Sequence, residues 1–253
     1  MAEGDVYEYP ADFYSYLASF AIRSAQRVVP QLAGVLPIRS VVDFGCGQGA
    51  WLSVWQNAGA TITGVDGSYV DQRRLLIDPA NFHAADLAEP IGLARRFDLV
   101  QSLEVAEHLP ASRARQFVDT LTAHGSCVLF SAAVPGQGGE HHVNEQPLGY
   151  WREIFRQKGF VAIDYLRPLI CDDAAIEPWY RYNIILYVAK THLADLPLEV
   201  RGRLVADGAE LDDYRPLPYR LRQALTRRLP VGAVSRLSRL RASLAARKAG
   251  VRG

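Results

Sequence analysis

From residue 38 the chain reads Ile38-Arg39-Ser40-Val41-Val42-Asp43-Phe44-Gly45-Cys46-Gly47-Gln48-Gly49, an apolar stretch that meets an acid and then glycines at alternate positions. Apolar, β-branched residues bounded by glycine read as a buried strand. Glycines directly after it let the backbone turn through conformations closed to other residues and approach a ligand closely. A helix opening next presents free N–H groups to that ligand's polar end. Strand, close-approach turn and helix in that order begin an α/β layered fold.

The spacing narrows the ligand. Dinucleotide sites use G-x-G-x-x-G beneath a pyrophosphate. Here the pattern is Asp43-x-Gly45-x-Gly47-x-Gly49, with a carboxylate ahead of the first glycine. That charge repels a pyrophosphate and suits a ligand with a positive amino group, which disfavours a nicotinamide dehydrogenase. Ile62-Thr63-Gly64-Val65-Asp66 reads as a second strand with an acid at its tip, where a ribose diol is commonly gripped. His83-Ala84-Ala85-Asp86-Leu87 supplies a third acid, and Phe97-Asp98-Leu99-Val100-Gln101-Ser102 reads as a fourth strand.

This ordered series resembles the class I S-adenosylmethionine-dependent methyltransferases over roughly residues 38 to 190. The resemblance implies that Gly45, Gly47 and Gly49 line the methionine part of the cofactor. It implies that Asp66 holds the ribose hydroxyls and Asp86 faces the adenine amino group. Asp43, Leu87 and Ser102 complete the expected cofactor contacts. Each acid taken alone also suits a turn residue or a helix cap.

Hydrophobic period sets the order of elements. A helix is expected over Phe13–Leu32, strands near 38–44, 61–65, 81–85 and 97–103, and a helix near 49–58. Ser112–Ala123 carries Phe117, Val118 and Leu121 on one face, so it reads as a helix, and Cys127–Ser131 as a fifth strand. A stripe of Leu148, Trp151, Ile154 and Phe155 ends at Gly159; strands then start at Phe160 and span Asn183–Ala189. The expected fold class is therefore α/β, a Rossmann-like, doubly wound, parallel seven-stranded sheet with N-terminal helices and a basic helical C-terminal tail. The expected division is a helical cover over 1–36, a core over 37–190, and a linker with a basic amphipathic tail over 191–253. Trp51 and Trp55, one turn apart, read as core residues.

In such a sheet chemistry belongs to the loops after the fourth and fifth strands. The Asn/Asp-Pro-Pro-aromatic tetrad of base-modifying N-methyltransferases is absent, as is a Pro-Cys nucleophile, which argues against direct modification of nucleobases. After the fourth strand, Glu104-Val105-Ala106-Glu107-His108 forms E-x-x-E-H. This is similar to the small-molecule O-methyltransferases of quinone biosynthesis, a resemblance that implies a divalent metal such as Mg²⁺ on Glu104, Glu107 and His108. The alternative is that these residues only order the loop. After the fifth strand, Pro135 to Gln146 carries three glycines and then Glu140-His141-His142-Val143-Asn144-Glu145-Gln146. A neutral imidazole is suited to accept a hydroxyl proton near pH 7. His142 is the first choice as general base, His141 the second, with His108 also a catalytic candidate. The His-Val-Asn-Glu-Gln segment resembles a bacterial methyltransferase family linked to saccharides and other hydroxylated metabolites, which implies substrate or metal contacts for Asn144 and Glu145. A capping loop is the alternative. Trp179 and Tyr180, near Asp172, Asp173 and Glu177, are candidates for stacking on a sugar ring.

Charge and cysteine usage bound the setting. Of 28 Lys and Arg, 11 follow residue 214, where no Asp or Glu occurs; 17 basic and 27 acidic residues remain before it. The body is thus strongly acidic and the tail strongly basic. Leu237, Leu240 and Leu244 lie among arginines in that tail, a pattern for an anionic membrane surface, a second copy of the chain, or RNA. Nucleic acid is disfavoured, because the only nearby aromatics, Tyr214 and Tyr219, both precede the expected tail helix. Three scattered cysteines, no apolar run of membrane-spanning length and no secretory leader lead us to expect a cytoplasmic protein, with peripheral contact at the inner membrane face open. The expected activity is O-methylation of a hydroxyl on a saccharide or similar metabolite. An RNA-directed methyltransferase and a non-catalytic cofactor-binding module are the alternatives.

Overall fold

The computed structural model describes residues 11–227, with side chains from residue 18 onward. The helices are α1 (Ala11–Ala33), α2 (Ala50–Asn57), α3 (Ala114–His124), α4 (Leu148–Gln157), α5 (Arg167–Ile170), α6 (Pro178–Asn183), α7 (Leu198–Arg201) and α8 (Leu217–Thr226). The strands are β1 (Ser40–Phe44), β2 (Thr61–Asp66), β3 (Phe82–Ala84), β4 (Leu99–Leu103), β5 (Cys127–Ser131), β6 (Phe160–Ile163) and β7 (Ile185–Ala189). They form one sheet in the order β3-β2-β1-β4-β5-β7-β6.

Both faces of the sheet are covered, which is why its central strands carry buried apolar residues on both faces rather than on alternate positions. On one face Val28 and Leu32 of α1 and Leu52 and Trp55 of α2 pack over Val41, Leu99 and Leu129. On the other, Phe117 and Leu121 of α3 and Trp151 and Phe155 of α4 pack over Val42, Val100 and Val128. Trp51 and Trp55 are both buried, as core residues should be.

The wholly parallel sheet expected from the alternation of elements is corrected at one strand. β7 runs antiparallel to both β5 and β6. A strand buried on both faces has the same apolar composition whichever way it runs, so periodicity carries no direction. Asn183 closes α6 instead of opening β7. Where N-terminal helices were expected, the described residues form one long helix, α1. The strands after α2 are joined by short 3₁₀ turns at Gln72–Arg74 and Pro79–Asn81.

The order reverses between β1 and β4, so the carboxyl ends of those two strands frame the switch-point crevice. Residues beyond β7 return to the core: Leu196 and Val200 are buried, and the Val205 N–H donates to the Ala162 carbonyl at 3.0 Å. Buried Arg167 pairs with Asp164 at 2.6 Å and donates to the Asp212 carbonyl at 3.0 Å, which ties down the chain leading into α8. Leu237, Leu240 and Leu244 of the basic tail lie outside the described residues. No helix among the described residues is long and apolar enough to cross a membrane.

Candidate active site

The glycine turn leaves β1 with Gly45, Gly47 and Gly49 at φ of 87°, 53° and 82°. Gly45 is required twice over. Its φ lies in the left-handed region, and a Cβ there would sit 2.2 Å from Val105 Cγ2 in the loop after β4. The turn is fastened to the tip of β2. Asp66 accepts from the Gly47 N–H at 2.7 Å, the Gly67 N–H at 2.7 Å and the Tyr69 hydroxyl at 2.5 Å. Asp66 thus has a structural duty to the turn at the carboxyl end of β2.

Asp43 lies beneath this turn and is buried. Its Oδ2 accepts from Gln101 Nε2 at 2.9 Å, and Gln101 Oε1 accepts from Trp55 Nε1 at 3.1 Å. Burial pushes the Asp43 carboxyl up to about 7, against the Gln101 hydrogen bond and with the Asp66 charge adding. Asp86 is exposed past the end of β3 and accepts from the Ala88 N–H at 2.9 Å. Leu87 is buried in the core, and the buried Ser102 Oγ has no partner among the described residues.

The loops after β4 and β5 are joined to each other. The Glu107 carbonyl accepts from the N–H groups of Val143 at 2.9 Å and Asn144 at 3.0 Å. Glu104 holds a left-handed backbone at φ 57°, and its N–H donates to the Ser131 carbonyl at 3.0 Å. Its carboxyl accepts from Gln137 Nε2 at 2.5 Å, with Asn183 Nδ2 at 3.5 Å from the other oxygen. Burial holds Glu104 above its ordinary value despite these bonds.

His142 stands at the centre of the joined loops. Its Nδ1 lies 3.0 Å from Glu145 Oε1 and its Nε2 lies 4.0 Å from Glu107 Oε1, while its ring meets that of His108 edge-on at 4.9 Å. Glu145 also accepts from the N–H groups of Gly136 at 2.8 Å and Gly138 at 2.9 Å. Burial raises the Glu145 carboxyl, but the bonds from His142 and these two N–H groups outweigh it and hold Glu145 below its ordinary value. Glu107 is fully buried with neither carboxylate oxygen in a hydrogen bond. Desolvation, then repulsion by Glu104, drives it well above its ordinary value, with nearby N–H groups of Glu107 and Ala133 offsetting a part. His108 is held below its ordinary value by desolvation of its ring and by the neighbouring His142.

The expected metal set is not assembled as written. Glu107, His108 and His142 bring one donor atom each to within 4.8 Å of one another. Glu104 is not among them, because Gln137 and Asn183 hold its carboxyl. His141 is exposed, with φ 56°. Asn144 is buried; its Oδ1 accepts from Gln146 Nε2 at 3.0 Å, so it braces the loop from within. It does not cap α4, which begins after Pro147. Tyr180 packs edge-on against Trp51 at 5.0 Å and is buried, which leaves no face for a sugar ring, whereas Trp179 is half-buried.

Sequence reasoning missed Gln101, Tyr69, Gln137 and Asn183. Gln101 had a signal: an amide in the middle of the apolar run Leu99-Val100-Gln101-Ser102-Leu103 needs a buried partner. Gln137 and Asn183 lie 46 residues apart, and no local pattern links them.

A family model described as a methyltransferase domain matches residues 6–152. No curated protein matches the chain significantly. Among solved structures, Streptomyces venezuelae DesVI is similar with a TM-score of 0.55 at 15% identity, covering 72% of this chain and 100% of that one. The sugar N-methyltransferase KedS8 of a Streptoalloteichus species gives 0.54 at 17%, covering 75% and 96%. Magnesium protoporphyrin IX methyltransferase of Synechocystis, with S-adenosylmethionine bound, gives 0.51 at 21%, covering 75% and 87%. The chain belongs to the methyltransferase-domain family, with the fold of the class I S-adenosylmethionine-dependent methyltransferases.

Proposed function

We propose that the protein methylates a hydroxyl of a saccharide or similar polyhydroxylated small molecule, with His142 as general base. The observation that carries this reading is the imidazole of His142 held by Glu145 at 3.0 Å on the loop after β5. With Nδ1–H donating to Glu145, Nε2 keeps a lone pair for a proton. S-adenosylmethionine held over the glycine turn would supply a sulfonium methyl group for in-line attack by the acceptor oxygen, the O–C bond forming as the S–C bond breaks and S-adenosylhomocysteine being the leaving group. The hydroxyl proton passes to Nε2, and charged Glu145 stabilises the imidazolium.

For the cofactor, Gly45, Gly47 and Gly49 would line the methionine part, Asp66 the ribose and Asp86 the adenine. A bound ammonium would pull the Asp43 carboxyl back into its ionised form. The polyhydroxylated acceptor is supported by the amides of Gln137 and Asn183 beside Glu104 and by half-buried Trp179. The fold likeness to KedS8, described as a sugar N-methyltransferase, is compatible with it.

Metal assistance is a second reading, favoured by the orphaned oxygens of Glu107 beside His108 and His142. One carboxylate and two imidazoles suit Zn²⁺, Mn²⁺ or Fe²⁺ better than Mg²⁺. Such an ion would act as a Lewis acid toward the acceptor oxygen, and it competes with a proton for the same His142 nitrogen. The test is an acceptor panel of sugars, amino sugars and phenols, read by S-adenosylhomocysteine release with and without EDTA and by the carbon shift of the transferred methyl. Methoxyl products support the reading; N-methyl products alone, or no turnover on any hydroxyl, overturn it.

A further inference from the structure

α8 lies against the loop after β5 and turns three leucines away from the protein. Leu217, Leu221 and Leu225 recur every fourth residue, so they project from one side of the helix, and they are 64%, 57% and 68% exposed. Arginines border this ridge on both sides. Arg227 and Arg220, the latter paired with Asp213 at 3.3 Å, are exposed on one flank, and Arg222 lies over the Tyr219 ring at 4.7 Å on the other. The opposite face of α8 is fastened inward. Gln223 is buried and accepts from Arg215 Nη1 at 2.8 Å, while Tyr219 meets Tyr182 at 5.2 Å. A Cβ at Gly136 would lie 2.3 Å from the Gln223 carbonyl oxygen, so α8 rests directly on the backbone that donates to Glu145.

A convex apolar ridge flanked by arginines is the form of a helix that lies in a lipid interface, its apolar side among the acyl chains and its cations among anionic headgroups. The charge balance fits the same occupant: from Arg215 onward the sequence holds 11 basic residues and no acidic one. A lone exposed leucine would mean nothing, but a periodic ridge inside a wholly cationic segment is complementary to an anionic bilayer.

We propose that α8 is an interfacial docking helix for anionic lipid, which seats the protein with the loop after β5 directly behind the membrane-facing helix. The acceptor is then a hydroxylated group presented at that surface; this last part rests on the proposed methyl transfer, whereas the docking does not.

The test is co-sedimentation of the full chain with vesicles of phosphatidylcholine alone or mixed with phosphatidylglycerol. Binding is expected only to the mixed vesicles and should weaken as salt is raised. The double variant Leu221→Glu/Leu225→Glu, which alters exposed side chains and keeps the thermal unfolding curve, should lower partitioning by about tenfold or more. No binding of the wild type to anionic vesicles, or equal binding of the variant, overturns the proposal. A concentration-dependent dimer that the same variant abolishes, without vesicle binding, assigns the ridge to a second copy and also overturns it. Docking without turnover on any hydroxyl leaves the surface standing and removes only the acceptor assignment.

Discussion

The imidazole of His142 packs onto the backbone of Gly139: a Cβ at residue 139 would lie 2.1 Å from His142 Nε2. Glycine is needed there for space, since no left-handed φ applies. Gly139→Ala therefore displaces the ring while leaving the fold intact. Turnover should fall by about 100-fold, in line with an ångström-scale misplacement of a reacting group. Thermal unfolding and S-adenosylhomocysteine affinity should stay near wild type, and calorimetry with steady-state kinetics checks both.

Asp43 gives the free protein a signature in pH. Its carboxyl titrates near 7 in the native state against an ordinary value of 3.8. Between those values the native state holds a proton that the unfolded chain has released, so stability falls as pH rises and levels off above about 7. The whole effect amounts to up to roughly 4 kcal/mol. In denaturant titrations Asp43→Asn should flatten this slope and stabilise the free protein at pH 8, yet weaken cofactor binding. An unchanged slope would remove the buried charge from the account.

Tyr69 donates to the carboxylate oxygen that also serves the Gly67 N–H. A ribose hydroxyl would compete for that oxygen. Tyr69→Phe removes the competitor, so S-adenosylmethionine should bind about 2- to 10-fold more tightly, the worth of one hydrogen bond. Weaker binding in the variant would mean that the hydroxyl serves the cofactor instead.

Glu107 and Glu104 are separated by their partners. Glu107 has two orphaned oxygens beside His108 and His142, and Glu104 is held by Gln137 and Asn183. If the cluster takes a divalent ion, Zn²⁺ affinity should drop at least about tenfold in Glu107→Ala and stay unchanged in Glu104→Gln. Isothermal titration reads both, and equal losses would contradict the assignment.

The sequence exposed the half of the site that is local. Asp43, the alternate glycines and Asp66 lie at strand ends, and strand ends are set by hydrophobic period. The position of His142 after β5 was readable for the same reason. The direction of β7 was not, because a strand buried on both faces reads alike both ways. The partner of Glu104 was hidden too: Gln137 and Asn183 meet it only because antiparallel β7 brings the end of α6 next to the loop after β5. E-x-x-E-H looked like one ligand set in sequence. The left-handed backbone at Glu104 and its two amide partners divide it into a bound carboxylate and an orphaned one.

Proton transfer from the acceptor to His142 is measured by comparing wild type and His142→Ala on a hydroxylated acceptor that supports turnover. S-adenosylmethionine affinity is measured alongside. A fall in kcat of about 100- to 10,000-fold with cofactor affinity retained is expected. A kcat within a few-fold of wild type would contradict it.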